Sequence, residues 1–204
     1  MINKKIILIG GAPTTGKSTI AELASKKLGL PWISTDQVRK IIRAVAHKED
    51  YPALFCTREY TAERFLNEFS AEETVKLEMN QGKEIWPTIS RFIEEDSTWK
   101  DGFIIEGISI LPNLVARDFK DNKNIKAVFL IDEDADRIRD VVFKRGLWAK
   151  AETYSDDVKE KEVEWALLFG QKTKEGAKKH NYPFIEVSRD KDDLQSVLNA
   201  IGSE

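Results

Sequence analysis

The sequence predicts an α/β fold, a five-stranded parallel sheet with helices on both faces. Five short, mainly apolar runs, at residues 5–9, 32–34, 103–106, 127–131 and 184–187, alternate with stretches whose apolar residues recur at helical spacing. Such runs suit strands covered on both faces, and parallel neighbours require a crossover connection, which a helix supplies. The 204 residues suffice for one folding unit, and no repeat, low-complexity tract or Pro/Ser-rich linker divides them.

The first strand, KIILI, leads through GGAPTTGKST into a helix marked by Ile20, Leu23, Ala24 and Leu28, which Gly29 and Pro31 stop. Residues 32–34 form a short second strand, and Asp36 is placed to begin a helix through Val38, Ile41, Ile42 and Val45. An aromatic-rich helical stretch follows Pro52. Ser70 and Glu73 there form a capping box, and Ile85, Ile89, Phe92 and Ile93 give another amphipathic face that Pro87 either opens or kinks. Residues from about 40 to 100 thus read as a helical, substrate-binding insertion beside the sheet. Strands at 103–106 and 127–131 come next, then a helix over residues 133–145 and a lid over about 146–157. The fifth strand precedes a terminal helix with Leu194, Val197, Leu198 and Ile201.

Composition excludes several classes. Hydrophobic residues make up 41% and charged residues 33%, which favours a solvated globule over a disordered segment or a membrane protein. No apolar run reaches the ~20 residues needed to cross a bilayer, and the N-terminal MINKKIILIG enters a strand pattern with no cleavage site, so a cytoplasmic protein is expected. A lone Cys56 forms no internal disulfide, and with only His47 and His180 beside it a structural zinc site is not expected. The net charge of -3 and pI near 5.6 give no sign of a broad nucleic-acid surface.

Residues 11–18, Gly11-Ala12-Pro13-Thr14-Thr15-Gly16-Lys17-Ser18, followed by Thr19, fit G-x-x-x-x-G-K-[ST] between a strand and a helix. Glycines let the backbone curl around an anion, and the helix aims unpaired N–H groups at the same place. The turn is a phosphate cradle. Lys17 is expected to reach the terminal phosphates of ATP as a point charge, and Ser18 to give one oxygen to Mg2+. A signalling GTPase is set aside because KNIK at residues 123–126 is not the guanine-reading N-K-x-D.

With this motif the chain resembles the P-loop kinases of small molecules, the group of adenylate, shikimate and gluconate kinases. It is most similar in pattern to 2-phosphoglycerate kinase and its zeta-toxin-like relatives, through GGAPTTGKSTIAELASKKLGLPWISTDQVRKIIR and FIIEGISILP. The resemblance implies a P-loop NTPase fold of the nucleoside/shikimate kinase type and phosphate transfer from ATP to a hydroxyl. It implies that Asp36 orients or deprotonates the acceptor hydroxyl or holds a magnesium-bound water. Arg39, one helical turn on, would clamp an anionic acceptor group; the bland alternative is a helix cap with a surface arginine. Glu106 looks like the acidic residue that faces the metal through water, against a carboxylate merely solvated at a strand end. Two departures stand out: no arginine closely follows Glu106-Gly107, and no Gly-rich run follows the strand as in shikimate kinases.

Arg137, Arg139 and Arg145 lie on the helix leading to the lid. By the resemblance, arginines of this region cover the nucleotide and neutralise transition-state charge. Arg145, beside Gly146, is the candidate catalytic one, Arg137 a candidate nucleotide ligand, and Arg139 a solvated residue. The aromatics Tyr51, Phe55, Tyr60, Phe65, Phe69 and Trp86 are expected to pack the insertion. His47 and His180 read as surface residues, and Lys172, Lys174, Lys178 and Lys179 as a solvated helix face.

The function expected from the sequence is an ATP- and magnesium-dependent kinase acting on a hydroxyl of a small, anionic, 2-phosphoglycerate-like metabolite. The alternatives are a kinase of nucleosides, nucleotide sugars or nucleic-acid 5′ ends, and a non-catalytic ATP-binding regulatory module.

Overall fold

The computed structural model describes residues 4–57, 60–147, 151–188 and 192–202. In chain order the elements are β1 (Lys5–Gly11), α1 (Lys17–Leu28), β2 (Trp32–Ser34), α2 (Thr35–Val45), α3 (Pro52–Phe55), α4 (Ala62–Glu68) and α5 (Ala71–Glu95). Then come β3 (Gly102–Glu106), α6 (Pro112–Phe119), β4 (Ile125–Ile131), α7 (Ala135–Arg145), a 3-10 turn (Ala151–Thr153), α8 (Asp156–His180), β5 (Phe184–Glu186) and α9 (Asp193–Ala200).

The five strands run in the order β2-β3-β1-β4-β5, every pair parallel. Successive side chains of a strand point to opposite faces, and β1 shows it. Ile6 and Leu8 join one core with Trp86, Ile89 and Phe169 of α5 and α8; Ile7 and Ile9 join another with Ile20 and Ala24 of α1 and Val197 and Leu198 of α9. This is the α/β arrangement expected, with helices on both faces. Register sets the site's geometry: Ile9 pairs with Glu106, and Ser34 pairs with the same Glu106, so β2 and β3 end level at their carboxyl ends while β1 runs on two residues to Gly11.

Several expectations change in detail. Ser34 rather than Asp36 caps α2, its hydroxyl accepting from the Asp36 N–H in a capping box with Gln37. The Ser70–Glu73 capping box is present, but it opens one 25-residue helix that contains Pro87, so Pro87 does not open a second helix. Tertiary packing outweighs the proline: Ile85, Trp86 and Ile89 around it are at most 1% exposed, and the Trp86 indole N–H reaches Asp118 of α6 at 2.5 Å. The helix expected from residue 133 starts at Ala135, because Asp134 accepts from the Asp136 and Arg137 N–H groups as its cap. Helix α6 escaped the sequence reading, the helix face read at Lys172 to Lys179 is the C-terminal part of the longer α8, and Asp156 and Asp157 of the expected lid form its first turn. Residues 148–150 of that lid lie outside the described residues. Among the described residues, no helix is long and apolar enough to cross a membrane.

Candidate active site

The turn from β1 to α1 has a backbone only glycine permits at its start. Gly11 has φ 140°, and a Cβ there would stand 2.2 Å from the Leu130 carbonyl oxygen of β4. Gly16 at φ 74° takes the N-cap position of α1 with no capping side chain, which leaves the first N–H groups of the helix directed at the cavity. The turn braces itself: Thr15 donates to the Ala12 carbonyl at 2.8 Å, and the Lys17 ammonium donates to the same oxygen. Lys17 is 8% exposed. Burial pulls it down to about 8, against the charges of Glu106 and Asp36, while Arg145 adds to the depression.

Ser18 donates to Glu106 Oε1 at 3.1 Å, joining the second residue of α1 to the end of β3. Glu106 is 2% exposed, so it is not a carboxylate solvated at a strand end. Burial raises its pKa, opposed by a hydrogen bond from Ser34 and the charge of Lys17. A hydroxyl and a carboxylate at this separation are the hard oxygen donors that Mg2+ takes, directly or through water. Among the described residues no three His, Cys, Asp or Glu side chains converge to hold a metal. A magnesium that shares its shell with nucleotide phosphates needs no such cluster.

Asp36 and Arg39 face the cradle from α2. Both line the same cavity of about 270 Å³ as Lys17, Ser18, Glu106 and Arg145. Arg39 donates to Asp36 Oδ1 at 2.9 Å, to Glu78 Oε2 at 3.3 Å and to Gln81 Oε1 at 3.2 Å. Glu78 and Gln81 lie one turn apart on α5, are 6% and 0% exposed, and carry no motif that a sequence reading could have used. Burial raises Glu78 and the Arg39 guanidinium opposes it. The bland alternative of a surface arginine therefore does not describe Arg39, whose side chain is only 19% exposed.

Arg145 lines the cavity together with Leu147 and Trp165. Arg137 does not line it: its guanidinium pairs with Asp132, a carboxylate 1% exposed just past β4. Arg139 pairs with Asp136 and Glu160 on an exposed face, in keeping with a solvated residue. Lys174 departs from its expected face, because it is held between Glu133 and Glu186 at 2.6 Å each. Beneath the Arg145 end of α7, the fully buried Glu162 of α8 accepts from the Leu147 N–H at 3.2 Å.

No protein-family model matches the chain. Two solved structures share its fold. An uncharacterized protein from Eubacterium ventriosum has a TM-score of 0.52 at 17% identity, over 98% of this chain and 99% of that one. Shikimate kinase from Aquifex aeolicus has a TM-score of 0.50 at 15% identity, over 97% and 96%. By sequence, the 2-phosphoglycerate kinase of Methanocaldococcus jannaschii is 26% identical over 199 residues, covering 96% of this chain. That of Methanococcus vannielii is 34% identical over 127 residues, or 59% of this chain.

The chain resembles the 2-phosphoglycerate kinases.

A mevalonate-3-phosphate 5-kinase from Thermoplasma acidophilum is also similar, at 25% identity over 68% of this chain and 67% of its own length. The chain spans less than two thirds of the length of the 2-phosphoglycerate kinases, 62% of the first and 40% of the second.

Proposed function

We propose that this protein is an ATP-dependent kinase that moves the γ-phosphoryl group to a hydroxyl of a small anionic metabolite in the cytoplasm. One observation carries the reading: the candidate phosphate cradle with Lys17, Ser18 and Glu106 shares one cavity with a carboxylate–guanidinium pair, Asp36 and Arg39, held on α2. A nucleotide-binding turn alone would serve a regulatory module; the second, acceptor-type wall is what a transferase needs. The names of the similar proteins agree, since both activities they print act on a phosphorylated compound.

Phosphoryl transfer asks the protein for position and charge rather than covalent chemistry. The cradle amides and Lys17 hold the terminal phosphates and oppose the charge that builds on them. Magnesium, when bound by Ser18 and through water by Glu106, supplies further charge neutralisation at the phosphates. Asp36 holds the acceptor hydroxyl in line, Arg39 takes the acceptor's anionic group, and Arg145 comes from the end of α7 toward the transferred group. Arg137, tied to Asp132, has no part in this scheme.

The test is an ATP-consumption screen over hydroxylated phosphates and acids, 2-phosphoglycerate and mevalonate 3-phosphate among them, with the Lys17→Ala protein as blank and product mass as confirmation. Transfer to a small anionic acceptor is expected. Transfer confined to nucleosides, nucleotide sugars or nucleic-acid 5′ ends, or ATP binding with no turnover on any acceptor, would overturn the reading.

A further inference from the structure

Arg39 is shared between two settings. Its Nη1 donates to Glu78 and Gln81, which are buried in the wall formed by α5, and Gln81 is itself held, donating to Glu78 Oε1 at 3.3 Å and accepting from Arg43 at 2.9 Å. Its Nη2 donates to Asp36, whose side chain is 56% exposed. One edge of the guanidinium is therefore anchored by two buried partners, Gln81 at 0% and Glu78 at 6% exposure, the latter at the edge of the cavity. The other edge holds an exposed carboxylate three residues back on the same helix, a contact of the weak, exchangeable kind.

We propose that Arg39 is an acceptor-operated gate on Asp36: an oxyanion of the acceptor takes the Nη2 edge, and the released carboxylate turns to the acceptor's hydroxyl. The gate rests on the kinase reading and deepens it, because it assigns the acceptor a phosphate or carboxylate close to its reacting hydroxyl. Planar guanidinium pairs with such groups through parallel N–H bonds, and Glu78 with Gln81 keeps the fork in place while its partner changes. Water has no charge with which to displace Asp36. The same device thus discourages ATP hydrolysis until an acceptor arrives, which matters because water competes for the phosphoryl group. In the transfer that follows, the acceptor oxygen bonds to the γ-phosphorus and the bond from that phosphorus to the β–γ bridging oxygen breaks. The hydroxyl proton passes to Asp36, and ADP leaves.

The gate is tested on the wild-type protein with phosphoglycolate, which carries both oxyanions but no hydroxyl to phosphorylate. It is expected to raise ATP hydrolysis about tenfold in the wild type and not to stimulate Asp36→Asn, a change smaller than the roughly 10²–10⁴-fold that a carboxylate contributes to a positioned acceptor, because the attacking water is not itself held in line. Arg39→Gln, which retains a neutral partner for Glu78 and Gln81, is expected to hydrolyse ATP at the raised rate without phosphoglycolate. ATP binding, measured separately, distinguishes the two levels of inference. A wild type that binds no ATP overturns the kinase reading. A wild type that binds ATP but shows no stimulation, or an Arg39→Gln protein no faster than wild type, overturns the gate alone.

Discussion

Ser18 and Glu106 are 88 positions apart in sequence and 3.1 Å apart in space. The contact exists because β1 and β3 are parallel neighbours in register, Ile9 beside Glu106, so that the helix leaving β1 starts next to the last residue of β3. Parallel sheets gather their ligands at this edge.

Lys17 gives the first prediction. Burial holds its pKa at about 8, so its charge fades as pH rises past that value, and a bound polyphosphate should restore it. ATP affinity should fall above pH 8, and binding there should take up a proton, readable by calorimetry in buffers of different ionisation enthalpy. In Lys17→Ala the uptake should vanish and turnover should drop by about 100-fold or more.

Asp36→Asn keeps the side chain's shape and removes its charge. Turnover should fall by about 10²–10⁴-fold, the usual contribution of a positioned acid or base, with ATP affinity within about twofold of wild type. Retained kcat would take Asp36 out of the reaction.

Gly107→Ala probes how the acceptor wall is supported. Gly107 has φ 145°, and a Cβ there would lie 1.8 Å from the Thr35 hydroxyl at the start of α2. Thr35 is fully buried and has no space to yield, so the first turn of α2, with Asp36, should shift. Thermal unfolding should report a loss of about 1–3 kcal/mol, and kcat should fall with it; unchanged values for both would contradict this packing.

Glu162→Gln should stabilise the protein in a pH-dependent way. Burial raises Glu162 from 4.5 to about 7, the Leu147 N–H and Lys159 opposing. A carboxyl with a raised folded-state pKa binds its proton more tightly in the native state. Its contribution is therefore fully favourable below about 4.5 and is lost as pH rises towards 7. The amide cannot ionise and still accepts from Leu147, so the variant should gain on the order of 1 kcal/mol or more at pH 8 and little near pH 4. Denaturant unfolding at the two pH values reads the difference.

The strand–turn–helix of the candidate phosphate cradle was legible in the sequence because it is local: β1, one turn and α1 carry all its residues. Asp36 and Arg39 were legible for the same reason, sitting one helical turn apart. Glu78 and Gln81 were not, since their tie to Arg39 spans 39 and 42 positions and depends on how α5 lies against α2. The Arg137 reading took a charged helix face at its value, whereas the nearby Asp132 takes up that guanidinium. Of α8 only the lysine-bearing C-terminal part was legible as helix; its apolar side is broken by Glu162 and Thr173, both at most 1% exposed.

The two walls of the cavity come from different stretches of chain. The proposed grip on phosphate belongs to β1, α1 and β3, whereas the polar ladder of Arg39, Glu78, Gln81 and Arg43 joins α2 and α5 and reaches α3 through the Leu54 carbonyl. Under the proposed kinase function, new acceptors could therefore be explored by drift between residues 35 and 95, with the nucleotide half inherited untouched. Transplanting that block from a kinase of different acceptor preference would then be the direct route to respecify the protein.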